Sequence, residues 1–454
     1  MSPRSRSLLR AIFILTFLTI APALILSTAG YRYSFGKGRL ERTGVLYVDS
    51  VPSGASVYLN DKHRKEKTPA RLTKLAPGTY QVRVELPGSQ PWVKEVEVVS
   101  GLTTFLDDLI LFKQGVPLIS REMRAEVSSF SPDGNRAALV SSTDGWQELR
   151  VVDASSGEDL AFARFEGSSS EGFAFSWTDD GRRLLIARLL KKGPAFLAWD
   201  DRDRLTFKDV GALLPSKRAL QAFWSSDGSR LYAADHLTLH EIDPTTWTRR
   251  AAGPAVPGMT ESDGIFYGVA RRDTGDAASF ALVRRAPQTA VFEDIARLPG
   301  GDYASRPGPD GMLLAVQDSG DAFIIIDPSR PVREAVRFEG HGTGFALSSD
   351  GNRLLYWNDI ELRVFTAANG QDALVTRLGE GIIRAAWYPA ETLIFFATGR
   401  EARVIESDAA RKRGSLRLTS FSDLKNLALA EDGETLRFVG TIGQHSGLWT
   451  MAIR

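Results

Sequence analysis

The side chains able to do chemistry in this chain are few and dispersed. Its five histidines are His63, His236, His240, His341 and His445, whereas a metal needs two or more ligands converging at about 2 Å. Only His236 and His240 are close in sequence, and on an extended strand they would stand roughly 13 Å apart, so no metal is expected. The acidic run Asp200-Asp201-Arg202-Asp203 lacks the ligand spacing of a calcium loop and reads as a polar turn. A Gly-x-Ser-x-Gly nucleophile elbow is absent, as is a glycine-rich phosphate loop opening a helix. There is no cysteine, which excludes disulfides and thiolate metal sites. No catalytic residue and no cofactor is expected from this inventory.

Charge narrows the partners. Lys plus Arg number 56 against 55 Asp plus Glu, so the chain lacks the basic excess with which a protein displaces counterions from phosphates. Nucleic acid is therefore not an expected partner. A hydrophobic content of 43% with 24% charged residues is ordinary for folded domains.

The elements that would position any site announce themselves by repetition. Ser131-Pro132-Asp133-Gly134, Thr178-Asp179-Asp180-Gly181, Ser225-Ser226-Asp227-Gly228, Ser262-Asp263-Gly264, Gly308-Pro309-Asp310-Gly311, Ser348-Ser349-Asp350-Gly351, a degenerate Tyr388-Pro389-Ala390-Glu391 and Ala430-Glu431-Asp432-Gly433 each separate two apolar runs. They recur roughly every 40 to 47 residues, the period of a four-stranded propeller blade. Just before the turn stands a large apolar residue in most units, namely Phe130, Trp177, Trp224, Leu347, Trp387 and Leu429, as packing between successive blades requires. Thr260 and Pro307 break that pattern, so an irregular pair of blades is expected around 255–310. The expected fold is all-β, with a propeller of eight four-stranded blades over 115–454 and seven as the alternative count. Since the last unit offers three strands, residues 116–121 are expected to supply its fourth and close the ring. The turns resemble the WD-like repeats of the bacterial Tol-system propeller protein, most clearly in Phe130-Ser131-Pro132-Asp133-Gly134 and Trp224-Ser225-Ser226-Asp227-Gly228.

Ahead of the array, residues 44–112 alternate apolar and polar side chains between Pro-Ser-Gly, Asn-Asp and Pro-Gly turns, the pattern of a small antiparallel sandwich. Pro52-Ser53-Gly54-Ala55, the strand Val57-Tyr58-Leu59-Asn60, Thr68-Pro69-Ala70, Leu75-Ala76-Pro77-Gly78-Thr79-Tyr80 and Leu86-Pro87-Gly88 before Trp92 follow in order. This segment resembles the PEGA domain family. The resemblance implies an extracytoplasmic module without catalytic activity, placed beside membrane anchors and larger repeat domains.

Residues 1–10 form a basic tail, and residues 11–29 are uncharged and largely apolar, close to the length of a membrane-spanning helix. They are expected to form a retained transmembrane anchor, with a signal peptide cut after Ala29 as the alternative. Residues 30–43 read as a linker. A single-pass protein of the cell membrane is expected, held by its N-terminal helix with its later domains outside the cytoplasm.

Function follows less directly, because propellers host binding, scaffolding and enzymes alike. The expected role is a binding or scaffold protein whose propeller engages a protein or glycan partner in the cell envelope. Its candidate contact residues lie on the rim where second and third strands join: Trp146, Lys191, Lys192, His236, Arg272, Asn358, Arg400 and His445. The alternative is a lyase or glycan-processing enzyme acting on envelope polymers in the propeller funnel, which requires two carboxylates roughly 5 to 10 Å apart.

Overall fold

The computed structural model describes residues 3–28, 30–34, 39–167, 172–203, 205–274, 277–318, 320–389, 391–407 and 414–454. Ala29, Phe35, Lys37 and Ala390 lie outside them. The chain divides into two compact units, residues 1–114 with Arg454, and residues 115–453.

In the first unit Pro3–Thr28 is one helix, yet among the described residues no helix is long and apolar enough to cross a membrane. Pro22 lies inside the helix. The expectation of a transmembrane anchor and a single-pass membrane location is overturned. The stretch expected as a linker contains a two-stranded ribbon, Tyr31–Ser34 against Arg39–Arg42.

Residues 44–110 form the sandwich. A four-stranded sheet orders Lys62–Lys67, Ser56–Leu59, Gly78–Glu85 and Trp92–Val98, and a three-stranded sheet places Gly44–Val51 between Ala70–Leu75 and Thr103–Ile110. Alternation puts Leu46, Val48, Val57, Leu59, Val82, Val84 and Val98 inside, where they make one core. The Thr68 hydroxyl pins the Pro-Ser-Gly-Ala turn, receiving the Ala55 amide at 2.9 Å and pairing with the Ser50 hydroxyl at 2.7 Å.

The second unit is eight four-stranded antiparallel sheets. Their first strands are Val127–Phe130, Gly172–Trp177, Gln221–Trp224, Thr260–Ser262, Tyr303–Pro307, Gly344–Leu347, Ile382–Trp387 and Asp423–Leu429, in blades 1 to 8. First strands of neighbouring blades touch from blade 3 through blade 5 and from blade 6 through blade 8 to blade 1, so these strands line the axis. The fourth strand of blade 8 comes from the start of the unit: Leu118–Glu122 pairs antiparallel with His445–Ala452, Leu118 opposite Thr450. The ring is therefore closed by both ends of the propeller.

Apolar cores sit in the seams between blades, as one-sided sheets require. Phe130, Leu139 and Val152 of blade 1 meet Val439 and Leu448 of blade 8, and Leu355 and Trp357 of blade 6 meet Ile394 and Phe396 of blade 7. Trp177 and Trp387 also bond backward, their indole N–H groups donating to the Ser129 hydroxyl at 3.2 Å and the Ala346 carbonyl at 3.1 Å. The irregular region is real. Blade 4 has a three-residue inner strand and turns through Asp263-Gly264 alone, with Ser262 opposite Ile265. In blade 5 the turn is a short 3-10 element in which Asp310 adopts φ +53°.

Candidate binding face

Antiparallel order gives the propeller two unlike ends. One end carries the turns from first to second strand and from third to fourth; the other carries the turns from second to third strand and the entries to the inner strands.

At the first end, four of the eight blades share one hydrogen-bond pattern. In blade 1 the Ser131 hydroxyl donates to Asp133, the Asn135 amide donates to the same carboxylate oxygen at 3.0 Å, and the Arg136 amide donates back to the Ser131 hydroxyl at 2.9 Å. The same three bonds recur around Asp180, Asp227 and Asp350. Gly134, Gly181, Gly228 and Gly351 take φ between +64° and +71°, a region costly for any side chain with a Cβ. Hydrogen bonds from Ser225 and Ser229 pull the Asp227 carboxyl down to about 2, and those from Ser348 and Asn352 do the same for Asp350.

Guanidinium groups stitch this end from blade to blade. Arg136 donates to the Gly181 carbonyl at 3.3 Å and pairs with Asp201 at 2.8 Å, Arg183 donates to the Gly228 carbonyl, and Arg437 donates to the Gly134 carbonyl at 2.7 Å. Blade 7 lacks the aspartate, and Glu391 takes its place from the far side of the seam, receiving the Ser349 amide and hydroxyl and the Arg353 guanidinium. Burial would raise the Glu391 carboxyl, but these donors outweigh it and hold it below its ordinary value. The acidic run reads the same way: Asp200 receives Arg183 at 2.8 Å and Arg202 at 3.0 Å, bonds that overcome the upward pull of burial on its carboxyl. A cleft of about 540 Å³ opens here between blades 8, 1 and 2, but Asp133, Asp153, Asp180 and Arg136 in its wall are already engaged in these local bonds.

At the opposite end every blade differs, and the rim residues expected from sequence are found here, spread over seven blades. Trp146 opens the third strand of blade 1, with the Arg164 guanidinium 4.7 Å above its ring. Lys191 and Lys192 form the turn of blade 2, and His236 is exposed in that of blade 3. Arg400 is exposed in blade 7. His445 of blade 8 pairs in the open with Glu122 at 3.0 Å. Two more of the set are engaged with their own blades. Asn358 receives the Ile360 and Glu361 amides at 3.0 and 2.8 Å, capping its turn, and Arg272 pairs with Asp294 at 2.5 Å. These residues ring the face rather than converge on one point.

Three groups that sequence reasoning missed lie closer to the axis. In blade 5, Asp302 precedes the inner strand, and Asp318 follows the second strand, its amide donating to the Asp302 carbonyl at 2.9 Å. Burial, reinforced by the Asp302 charge and offset in part by Arg306, pushes the Asp318 carboxyl upward. In blade 7, Arg384 stands on the inner strand, and in blade 8, Lys425 does. The only signal for Arg384 in the sequence is alignment on the turns, where its position holds Val127, Ala174, Gln221, Ala304, Gly344 and Asn426 in other units.

Comparison with known proteins adds the following. The PEGA domain family matches residues 43–109. No curated protein sequence matches the chain. Among solved structures, the C-terminal WD40 domain of Sif2 aligns with TM-score 0.48 and 14% identity over 76% of this chain and 98% of its own. The Dos1 propeller aligns at 0.45 and 15% over 75% and 95%, and an oligogalacturonate lyase in complex with manganese at 0.41 and 13% over 75% and 98%. Residues 43–109 are thus a PEGA domain, and the chain joins it to an eight-bladed β-propeller.

Proposed function

We propose that this protein is a binding module that holds a protein or glycan partner on the propeller end where second strands turn into third strands. The observation that carries this reading is the contrast between the two ends. At the Asp-Gly end the turn aspartates of blades 1, 2, 3 and 6 and the guanidiniums of Arg136, Arg183 and Arg437 are held in local bonds, whereas the other end presents unlike exposed groups, among them Trp146, Lys191, His236 and Arg400. Side chains varied from blade to blade over a rigid ring are what recognition of an irregular partner asks for.

One observation favours a second reading, an enzyme in the funnel: the Asp302–Asp318 neighbours, with the Asp318 carboxyl raised, as a general acid would require. Peptide and oligosaccharide arrays probed with the full chain separate the two. Saturable binding of a ligand recovered unchanged by mass spectrometry, and weakened in a Trp146→Ala, Arg400→Ala variant, supports the binding module. A ligand recovered cleaved, with cleavage lost in Asp318→Asn, replaces it with the enzyme.

A further inference from the structure

We propose that the entry end of the inner strand of blade 7 forms a site for a carboxylate on an acidic peptide segment, with Arg384 meeting the carboxylate. This deepens, and rests on, the binding-module reading.

The first observation is one of register. Counted back from the turn, Arg384 in blade 7 and Asn426 in blade 8 hold equivalent places, Arg384 opposite Ala397 and Asn426 opposite Val439. Asn426 uses its amide to bridge the seam, donating to the Ser128 carbonyl of blade 1 at 2.8 Å. Arg384 makes no hydrogen bond or ion pair among the described residues. It is open to solvent, yet burial lowers its pKa, with no neighbouring charge contributing. The guanidinium is in contact with water, and among the described residues no carboxylate has been brought to it. Holding a cation partly desolvated and unpaired is unfavourable to the fold, and a carboxylate from outside supplies the missing bidentate partner.

The second observation is backbone geometry. The inner strands of blades 1 to 6 pair with their second strands without a register break. Those of blades 7 and 8 each contain one, between Ile382 and Arg384 and between Leu424 and Asn426. Bulges of this kind re-aim side chains, and here two adjacent blades place them at the same level, beside a cation in each. The seam is fixed, since the Leu424 amide donates to the Gly399 carbonyl at 2.9 Å and the Phe421 amide to the Arg400 carbonyl at 2.7 Å.

Peptide is favoured over glycan by what surrounds the guanidinium. Ile383 is 38% exposed and Ile360 49%, and the turn bearing Ile360 is tied to this strand by the Ile382 amide donating to the Asp359 carbonyl at 3.1 Å. Aliphatic side chains suit an acidic peptide with apolar residues between its carboxylates. A sugar ring calls for an aromatic face, and Trp146 lies in blade 1 beneath Arg164.

The test is fluorescence anisotropy on the full chain with a labelled peptide of alternating glutamate and leucine, its glutamine-leucine counterpart, and a glucuronate tetramer as competitor. The expected result is saturable binding of the glutamate peptide alone, weakened about tenfold or more in Arg384→Gln and partly retained in Arg384→Lys. The melting temperature of Arg384→Gln should be no lower than that of the parent, because no bond within the chain is lost and an unpaired cation is removed. Failure to bind the glutamate peptide, equal binding by Arg384→Gln, or a melt lowered by several degrees overturns the assignment. Preference for the glucuronate tetramer overturns it in favour of an acidic glycan. An array ligand whose affinity ignores Arg384 removes this site and leaves the binding module standing, whereas arrays without any ligand remove both.

Discussion

Deleting residues 115–122 tests whether the propeller is closed by the strand that the structure places on the edge of blade 8. Leu118–Glu122 pairs at four positions with the last strand of the chain. Leu118 is 65% exposed and Ile119 40%, so little apolar burial is lost and the backbone ladder dominates. At about 1 kcal/mol per hydrogen-bonded position the ladder contributes ~4 kcal/mol. Arg121 adds to it, donating to the Gly157 carbonyl at 2.8 Å and pairing with Asp159 at 2.9 Å, for about 1 kcal/mol more. An unfolding entropy of about 2.1 cal/mol/K per residue over roughly 340 residues amounts to ~0.7 kcal/mol/K, so a loss of ~5 kcal/mol lowers the melting temperature by about 7 °C. Calorimetry of the full chain and of the deletion reads this directly, with Arg121→Ala as an intermediate whose melt should fall by about 1 to 2 °C. A deletion that melts within a degree of the parent refutes the reasoning, because the ring would then hold without that strand.

Arg437 is buried and links blade 8 to the Gly134 carbonyl and to Asn135 at 2.8 Å; Arg437→Met strands that carbonyl, and calorimetry should show about 2 kcal/mol lost, a fall of ~3 °C. Glu391→Gln leaves Arg353 without its carboxylate at a side chain only 12% exposed and should cost about 2 to 3 kcal/mol in urea unfolding, with Glu391→Asp recovering little because the carboxylate no longer spans the seam. Asp227 is depressed to about 2 in the folded chain against about 3.9 unfolded. Its stabilising effect is therefore complete above pH 4 and disappears as the pH falls toward 2. A melting curve recorded across that window should slope less steeply for Asp227→Asn, and an identical slope contradicts the turn's role.

What could be read from the residues alone tracks how local the determining physics is. Ser-x-Asp-Gly turns carry their whole hydrogen-bond pattern within a few residues, so the array, its eight units and the missing strand of the last one were legible, as was the PEGA segment with its ordered motifs. Thr260 and Pro307 marked the irregular blades, although the two-residue turn at Asp263-Gly264 depends on strand lengths no single residue reveals. Hydropathy over 11–29 suggested a membrane span, but among the described residues no helix is long and apolar enough to cross one, and Pro22 lies within the helix. The rim residues fell at the expected end because turn position is a matter of counting. That Asn358 caps its own turn and Arg272 pairs with Asp294 was not legible, since both bonds depend on side-chain geometry. The bulges at Ile383 and Lys425 were hidden for the same reason: a register break belongs to two strands at once.

The asymmetry between the ends follows from how a repeat array distributes its constraints. Each blade must grip the next, and in this chain much of that grip is polar and sits at the Asp-Gly end, where Arg136, Arg183 and Arg437 reach the neighbouring turn. Substitution there breaks a bond that the ring needs, so side chains at that end are tied to stability. At the other end the blades meet mainly through apolar seams below the surface and single backbone bonds such as Leu424 to Gly399, which leave the turn side chains free of that duty. Side chains at one end can then vary without loosening the ring, and the inner-strand bulges of blades 7 and 8 fall at that end.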